Sequence, residues 1–302
     1  MIDLWLLTRK SSGVEVRHLH FLRPSAISLK KASGFTAELL EEDDPELTSN
    51  DLTDITTTPI IAPSNVSEPF LALYNDLLAR TTPTRKAHEY PARSRLKDLL
   101  DLVTTAEEVR LLPPLVAQWR LKQFPLTDTT AALVSCACTA GAPDVAFELL
   151  GDRAKYALLP QPQDLRALVR AFCARAMAVG DNAGAAMEEL DKAFMAFGLA
   201  PYYKVDVGED WVSYGTLIAT SARGGFGEEG WRRATGTAKE MVQGMIGKTV
   251  KLGDGAKEAL LDAANALVAG YEERGEEGDA KRYRALRMVL QDADETMNVN
   301  RG

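Results

Sequence analysis

Residues Leu126–Cys173 read LTDTTAALVSCACTAGAPDVAFELLGDRAKYALLPQPQDLRALVRAFC and predict a helix, a turn, a second helix, a proline-rich break and a third helix. Gly141 is placed to end the first helix. Pro143 follows in a first helical turn, where proline is tolerated. Each helix is apolar on more than one side. An isolated pair could not cover that surface, so we expect neighbouring pairs to stack on it.

Similar start signals recur along the chain, at Thr127, Gln161, Glu209 and Asp254. The first interval is 34 residues, whereas the next two are 48 and 45. Tetratricopeptide and pentatricopeptide units have a length of about 34 residues. The spacing therefore predicts an all-α fold: a right-handed α-solenoid of about four degenerate helical hairpins over residues 94–295, with residues 296–302 fraying at the end.

Local signals define helices on both sides of this stretch. Ser94 can cap a helix, and Thr105 with Glu108 forms a capping box for the next one. Pro113-Pro114 should break that helix, and Gly198 should end a later one. Three tryptophans near apolar stripes are expected to be packing anchors between helices: Trp119, Trp211 and Trp231.

The N-terminal part has a different composition. Residues 32–79 contain ten acidic residues and no basic one, and much of this stretch is rich in Thr, Pro and Ser. We expect residues 1–69 to form an extended, largely irregular arm. Residues 1–36 are basic and partly resemble a mitochondrial transit peptide, although Asp3 and Glu15 depart from its acid-poor pattern.

A short helix, Phe70–Arg80, and a basic linker complete residues 70–93. Six cations fall within 18 residues: Arg80, Arg85, Lys86, Arg93, Arg95 and Lys97. His88 and Tyr90 lie among them. Flexible cations beside an aromatic ring suit a nucleic-acid backbone, so these six are the candidate contacts to RNA or a partner protein. The alternative interpretation is a solvated linker.

The composition and the motifs argue against catalysis. The chain has a net charge of −8, three histidines and no run of 18 apolar residues, which predicts no membrane span. Gly244–Thr249 reads GMIGKT but lacks P-loop spacing, because Val242 occupies the position of the first glycine. The acidic residues of Glu188–Lys192 are expected on a solvated helix face. We therefore predict no enzyme activity, no cofactor, no metal site and no small-molecule substrate.

The cysteines are few and odd in number: Cys136, Cys138 and Cys173. Such a count provides no disulfide framework and favours a reducing compartment. The first two lie within an Ala/Val/Leu helix, where small thiols are common in the core. We expect all three to be packing residues.

A family resemblance rests on Glu148-Leu149-Leu150, Asp152-Arg153 and Lys155-Tyr156-Ala157-Leu158, and on EDWVSYGTLIATSA at Glu209–Ala222. These segments resemble fungal mitochondrial helical-repeat proteins of the pentatricopeptide/tetratricopeptide type, in particular those associated with the small subunit of the mitochondrial ribosome. The resemblance implies a non-catalytic scaffold in the mitochondrial matrix, with other ribosomal proteins and rRNA as partners. A free helical-repeat adaptor or assembly factor that binds proteins is the alternative.

Overall fold

The computed structural model describes residues 65–121, 127–180, 182–206, 209–223, 225–246, 249–253, 255–292 and 296–298. Statements below concern these residues alone. The expected arm lies outside them up to residue 64, as do residues 299–302 of the expected frayed tail.

Most of the described chain is helical, which confirms the predicted all-α class. The helices are α1 (Glu68–Arg80), α2 (Arg93–Asp101), α3 (Ala106–Arg110), α4 (Leu112–Arg120), α5 (Thr127–Thr139), α6 (Pro143–Gly151), α7 (Arg153–Tyr156), α8 (Pro162–Ala178), α9 (Ala183–Tyr202), α10 (Trp211–Arg223), α11 (Gly227–Met245), α12 (Ala256–Glu273) and α13 (Glu277–Asp292). A 3-10 helix covers Ala87–Glu89. Two short strands, β1 (Thr249–Lys251) and β2 (Thr296–Asn298), were not expected and pair antiparallel.

The helices pack as consecutive hairpins. α5 packs on α6, α8 on α9, α10 on α11, and α12 on α13. The first helices of these hairpins also contact one another in chain order, α5 on α8, α8 on α10 and α10 on α12, while α2 packs against α5. Stacking of this kind covers the apolar surface that one hairpin would leave exposed.

The centre of this arrangement is α10, which is buried along most of its length. Its Gly215 lies against α12, where an added Cβ would be only 2.6 Å from the carbonyl carbon of Ala259. The absence of a side chain there allows the two helices to approach closely. The tryptophans expected to anchor packing are indeed buried: Trp119, Trp211 and Trp231 are 1%, 4% and 9% exposed.

Several predicted helix boundaries agree with the structure. Thr105 and Glu108 form the expected capping box at the start of α3. The two prolines after Leu112 occupy the first turn of α4, so the predicted break falls between α3 and α4. Gly141 follows α5 as predicted, with φ of +76°, the left-handed conformation typical of helix ends. Gly180 follows α8 with a similar φ of +68°.

Two predicted boundaries were wrong. Ser94 does not cap α2, because the helix already begins at Arg93 after the extended residue Ala92. Gly198 does not end α9, which continues to Tyr202. The additional turn buries Ala200 completely, and this burial favours continuing the helix.

The start of α1 is fixed by a buried carboxylate. Glu108 of α3 accepts hydrogen bonds from the backbone N–H and hydroxyl of Ser67, at 2.8 and 2.7 Å. It also accepts from the backbone N–H groups of Thr104 and Thr105, at 2.7 and 3.0 Å. Burial raises the pKa of Glu108, but these hydrogen bonds outweigh it and lower the pKa to about 2. Glu108 is therefore ionised at neutral pH and joins α1 to α3.

Candidate nucleic-acid interface

The six predicted contact residues lie on three consecutive elements at the start of the described chain. Arg80 is in the last turn of α1, Arg85 and Lys86 are in the loop that follows, and Arg93, Arg95 and Lys97 are in α2. All six are exposed. Three of the six cations therefore lie on α2, and only Arg85 and Lys86 lie in the loop between the two helices.

The loop between α1 and α2 is anchored at both ends. The Tyr90 hydroxyl donates a 2.6 Å hydrogen bond to the carbonyl oxygen of Thr81. Thr81 is completely buried, and its hydroxyl lies 2.9 Å from Oε1 of Gln118 in α4. Tyr90 is half-buried, and burial raises its pKa. Tyr90 therefore fixes the position of the loop that carries Arg85 and Lys86.

The cations differ in how they are paired. Nε of Arg80 lies 2.9 Å from Oδ1 of Asp76, and a nitrogen of Arg95 lies 3.3 Å from Oδ2 of Asp98. Both pairs are exposed and contribute little stability. Three cations have no acidic partner among the described residues: Arg85, Lys86 and Lys97. Their charges are available to an anion.

The first turn of α2 adds to the positive electrostatic potential around Arg85, Lys86 and Lys97. It contains Arg93 and Arg95 and no acidic residue. A helix N-terminus already carries a partial positive charge, so cations in the first turn are unfavourable for the isolated helix. The same arrangement favours an approaching phosphate group. The electrostatics of the segment therefore suit a polyanion.

One group of charges departs from the sequence prediction. Glu189 was expected on a solvated face, but it is 7% exposed. Its Oε1 lies 2.9 Å from Arg175 of α8 and 2.9 Å from Nζ of Lys192. Nζ of Lys192 also lies 2.7 Å from Asp144 of α6, which pairs with Arg175 as well. These four residues, the interhelical charge network, join α6, α8 and α9; Glu189 is buried and the other three are partly exposed.

The interhelical charge network has a structural explanation. Burial raises the pKa of Asp144, but the hydrogen bonds from Lys192 and Arg175 outweigh it and lower this pKa. Hydrogen bonding to Asp144 correspondingly raises the pKa of Lys192. Both cations also lie 6.0 Å from the ring centroid of Phe172. Each charge is balanced by an opposite one, which suits a contact between helices better than a carboxylate pair for acid–base catalysis.

The three cysteines lie in or against the core, and burial raises the pKa of each thiol. Within the described ranges, no group of three or more His, Cys, Asp or Glu side chains is arranged to bind a metal ion. Burial raises the pKa of Cys136 to about 12, and that of Cys138 and Cys173 to about 11. These thiols pack on or in the core, as expected. The helices of the described ranges include none long and apolar enough to cross a membrane.

An exposed group of aromatic and basic residues at the end of α9 was not predicted from the sequence. Tyr202 is the last residue of α9, Tyr203 is its C-cap, and Lys204 follows. The guanidinium of Arg153 in α7 lies over the ring of Tyr203. The Tyr-Tyr-Lys sequence could have drawn attention to it. Because α9 was expected to end at Gly198, these residues were not placed on a helix.

The chain matches no protein-family model, no curated protein and no solved structure. A proposal for its function therefore depends on the geometry described above and on the sequence resemblance at Glu148–Leu158 and Glu209–Ala222.

Proposed function

We propose that this chain is a non-catalytic helical-hairpin scaffold that binds RNA within a ribonucleoprotein. The observation that supports it most directly is the set of unpaired cations Arg85, Lys86 and Lys97 among the described residues, on a segment anchored by Tyr90. Phosphate contacts of this kind provide affinity without a sequence-reading motif. The hairpins would supply a rigid body that positions the cations.

The finer proposal is that the stacked hairpins form a degenerate right-handed α-solenoid of the tetratricopeptide/pentatricopeptide type. The sequence resemblance at Glu148–Leu158 supports the proposal that the chain is a component of the small subunit of the mitochondrial ribosome, in the matrix. Other ribosomal proteins and rRNA would be the partners. The hairpin intervals are irregular, so recognition by shape and charge fits better than a code of one base per repeat.

Fractionation tests the assembly. Lysed mitochondria would be separated on a sucrose gradient, and the chain followed by immunoblotting with and without RNase treatment. We expect it to co-migrate with the small ribosomal subunit and to shift when RNase disrupts the particle. Absence from ribosomal fractions would refute the ribosomal assignment.

A binding experiment tests the RNA contact itself. The full chain would be titrated with a fluorescent single-stranded RNA at increasing salt. The phosphate contacts of Arg85, Lys86 and Lys97 should contribute about −2 to the slope of log affinity against log salt, which is about 20-fold between about 50 and 200 mM salt. The triple variant R85Q/K86Q/K97Q should lose this contribution to the slope. The matched control R232Q/K239Q/K281Q removes three exposed cations from α11 and α13 and should retain it.

The alternative function, a protein-binding adaptor, has one observation in its favour. Met195 on α9 and Met288 on α13 are 57% and 58% exposed, and large apolar side chains at a surface suit protein contacts. An adaptor would remain with its protein partner after RNase treatment. It would also show no salt-dependent retention on RNA.

A further inference from the structure

Four residues near the end of α9 form an exposed group that we name the tyrosine cluster: Arg153, Tyr202, Tyr203 and Lys204. The Tyr203 hydroxyl donates a 2.5 Å hydrogen bond to the carbonyl oxygen of Leu150 in α6, which fixes its ring. Tyr202 packs edge-on against Tyr203, with 5.1 Å between ring centroids. Tyr202 remains 53% exposed, so its ring faces solvent beside the anchored ring of Tyr203.

The backbone around the tyrosine cluster is strained. Among the described residues, Ala157 and Lys204 are the non-glycine residues with positive φ, at +49° and +56°. Ala157 ends α7, which carries Arg153, and Lys204 directly follows Tyr203. Such conformations are costly for residues with a Cβ and are concentrated at functional sites. Lys204 itself belongs to the tyrosine cluster, and Ala157 lies four residues after Arg153.

The charges of the cluster are available to a ligand. Arg153 and Lys204 are exposed and have no ion-pair partner in the part of the chain that the structure describes. The Arg153 guanidinium lies 5.9 Å from the centroid of the Tyr203 ring. The neighbouring carboxylate, Asp152, accepts a 2.9 Å hydrogen bond from the backbone N–H of Lys155 and so caps α7.

We propose that the tyrosine cluster binds single-stranded RNA, with Tyr202 stacking on a base and Arg153 and Lys204 contacting phosphates. An exposed ring flanked by unpaired cations combines the two features that such binding requires, a stacking surface and a phosphate-binding charge. A base can reach the ring only when it is unstacked, so a single strand fits and a duplex does not. This inference rests on the proposed RNA partner but uses a surface separate from the Arg80–Lys97 segment.

Substitution of Tyr202 tests the stacking. The full chain would be titrated with a fluorescein-labelled oligouridine and with an RNA duplex of the same length. We expect Tyr202→Leu to weaken oligouridine binding about 10-fold, because one stacked base is lost. Tyr202→Phe retains the ring and should bind like the parent chain. Met195→Leu, another exposed position on α9, is the matched control. Equal affinities for Tyr202→Leu and Tyr202→Phe would overturn the proposal.

Substitution of Lys204 separates binding from folding. Lys204→Gly removes the cation and relieves the positive φ, so this variant should melt at the same or a higher temperature and still bind oligouridine more weakly. Unchanged affinity in Lys204→Gly would overturn the phosphate contact. Ultraviolet crosslinking followed by mass spectrometry should place the uridine on the peptide that contains Tyr202.

These measurements separate an error in the tyrosine-cluster proposal from an error in the proposed RNA-binding function. If the parent chain binds neither RNA, the RNA partner itself is wrong and both proposals fall. If the parent chain binds oligouridine, and R85Q/K86Q/K97Q reduces the salt slope while Tyr202→Leu has no effect, this inference alone is wrong. If Tyr202→Leu instead abolishes an RNase-resistant protein contact and leaves RNA affinity intact, the cluster is a protein-binding surface and the inference is also wrong.

Discussion

Ser67 and Glu108 are 41 positions apart, yet the Ser67 hydroxyl donates a 2.7 Å hydrogen bond to the buried carboxylate of Glu108. The backbone N–H of Ser67 donates to the same oxygen. Through this contact, the residue that precedes α1 is attached to the first turn of α3. The Glu108 carboxylate thus connects α1, which precedes the basic loop, to α3.

Glu108→Gln should destabilise the protein by about 3 kcal/mol at neutral pH, because the amide cannot replace an ionised acceptor of several hydrogen bonds. The folded-state pKa of about 2 lies below the ordinary value of 4.5. The carboxylate therefore stabilises the fold above about pH 4.5, and this contribution is lost as the pH falls towards about 2. Urea unfolding between these pH values should show a flatter pH dependence in Glu108→Gln than in the parent chain. Parallel curves for the two proteins would contradict this assignment.

The contact between α11 and α12 depends on a glycine. An added Cβ at Gly270 would lie 2.3 Å from a ring carbon of Trp231. Gly270→Ala should therefore cost about 2 kcal/mol and shift the tryptophan emission. Gly236 in α11 has nothing within 4 Å of an added Cβ, so Gly236→Ala should stabilise by about 0.5–1 kcal/mol. Equal effects of the two substitutions in thermal unfolding would show that helix propensity, and not the Trp231 contact, decides the outcome.

The interhelical charge network gives a second matched pair of substitutions. Glu189→Gln should cost about 2 kcal/mol, because it leaves the Arg175 and Lys192 charges near the interior with one carboxylate fewer. The neighbouring residue Glu188 is exposed, so Glu188→Gln should change stability by less than about 0.5 kcal/mol. Urea unfolding measures both. A Glu189→Gln variant as stable as Glu188→Gln would mean that Asp144 alone balances the two cations.

Ala157 offers a test of backbone strain that leaves the charged residues unchanged. Its φ of +49° is costly for a residue with a Cβ, so Ala157→Gly should stabilise by about 0.5–1 kcal/mol. Ala154 lies within α7, and Ala154→Gly should have the opposite sign and a similar size. Thermal unfolding of both variants decides the point. A destabilised Ala157→Gly would show that the methyl group of Ala157 contributes more by packing than the strain costs.

Local signals in the sequence were sufficient where neighbouring residues determine the structure. The Thr105–Glu108 capping box and the positive φ of Gly141 are examples, because both depend on a few adjacent positions. Gly198 shows the limit. Nothing nearby distinguishes it from a helix-ending glycine, and the helix continues because Ala200 is buried against residues remote in sequence.

The candidate sites, too, could be predicted from the sequence only in part. The Arg80–Lys97 cations were recognisable from composition alone. Which of them lack an acidic partner depends on side-chain geometry and could not be predicted. Glu189 was misplaced because one of its two partners lies on a different helix: Arg175 is 14 positions away, and this pairing is made by the packing of α8 on α9. The exposure of Tyr202 likewise depends on where α9 ends.

The burial of α10 has a consequence for how the protein opens. Leu217 and Ile218 are completely buried, and α10 packs against α8, α11 and α12. Only Thr216, Ala222 and Arg223 of this helix are not buried, so the amide protons in its middle can exchange with deuterium only after neighbouring hairpins separate. The slowest-exchanging amides should thus lie in α10. Their exchange free energy should equal that of global unfolding, which would make this array of hairpins cooperative and unable to melt one hairpin at a time.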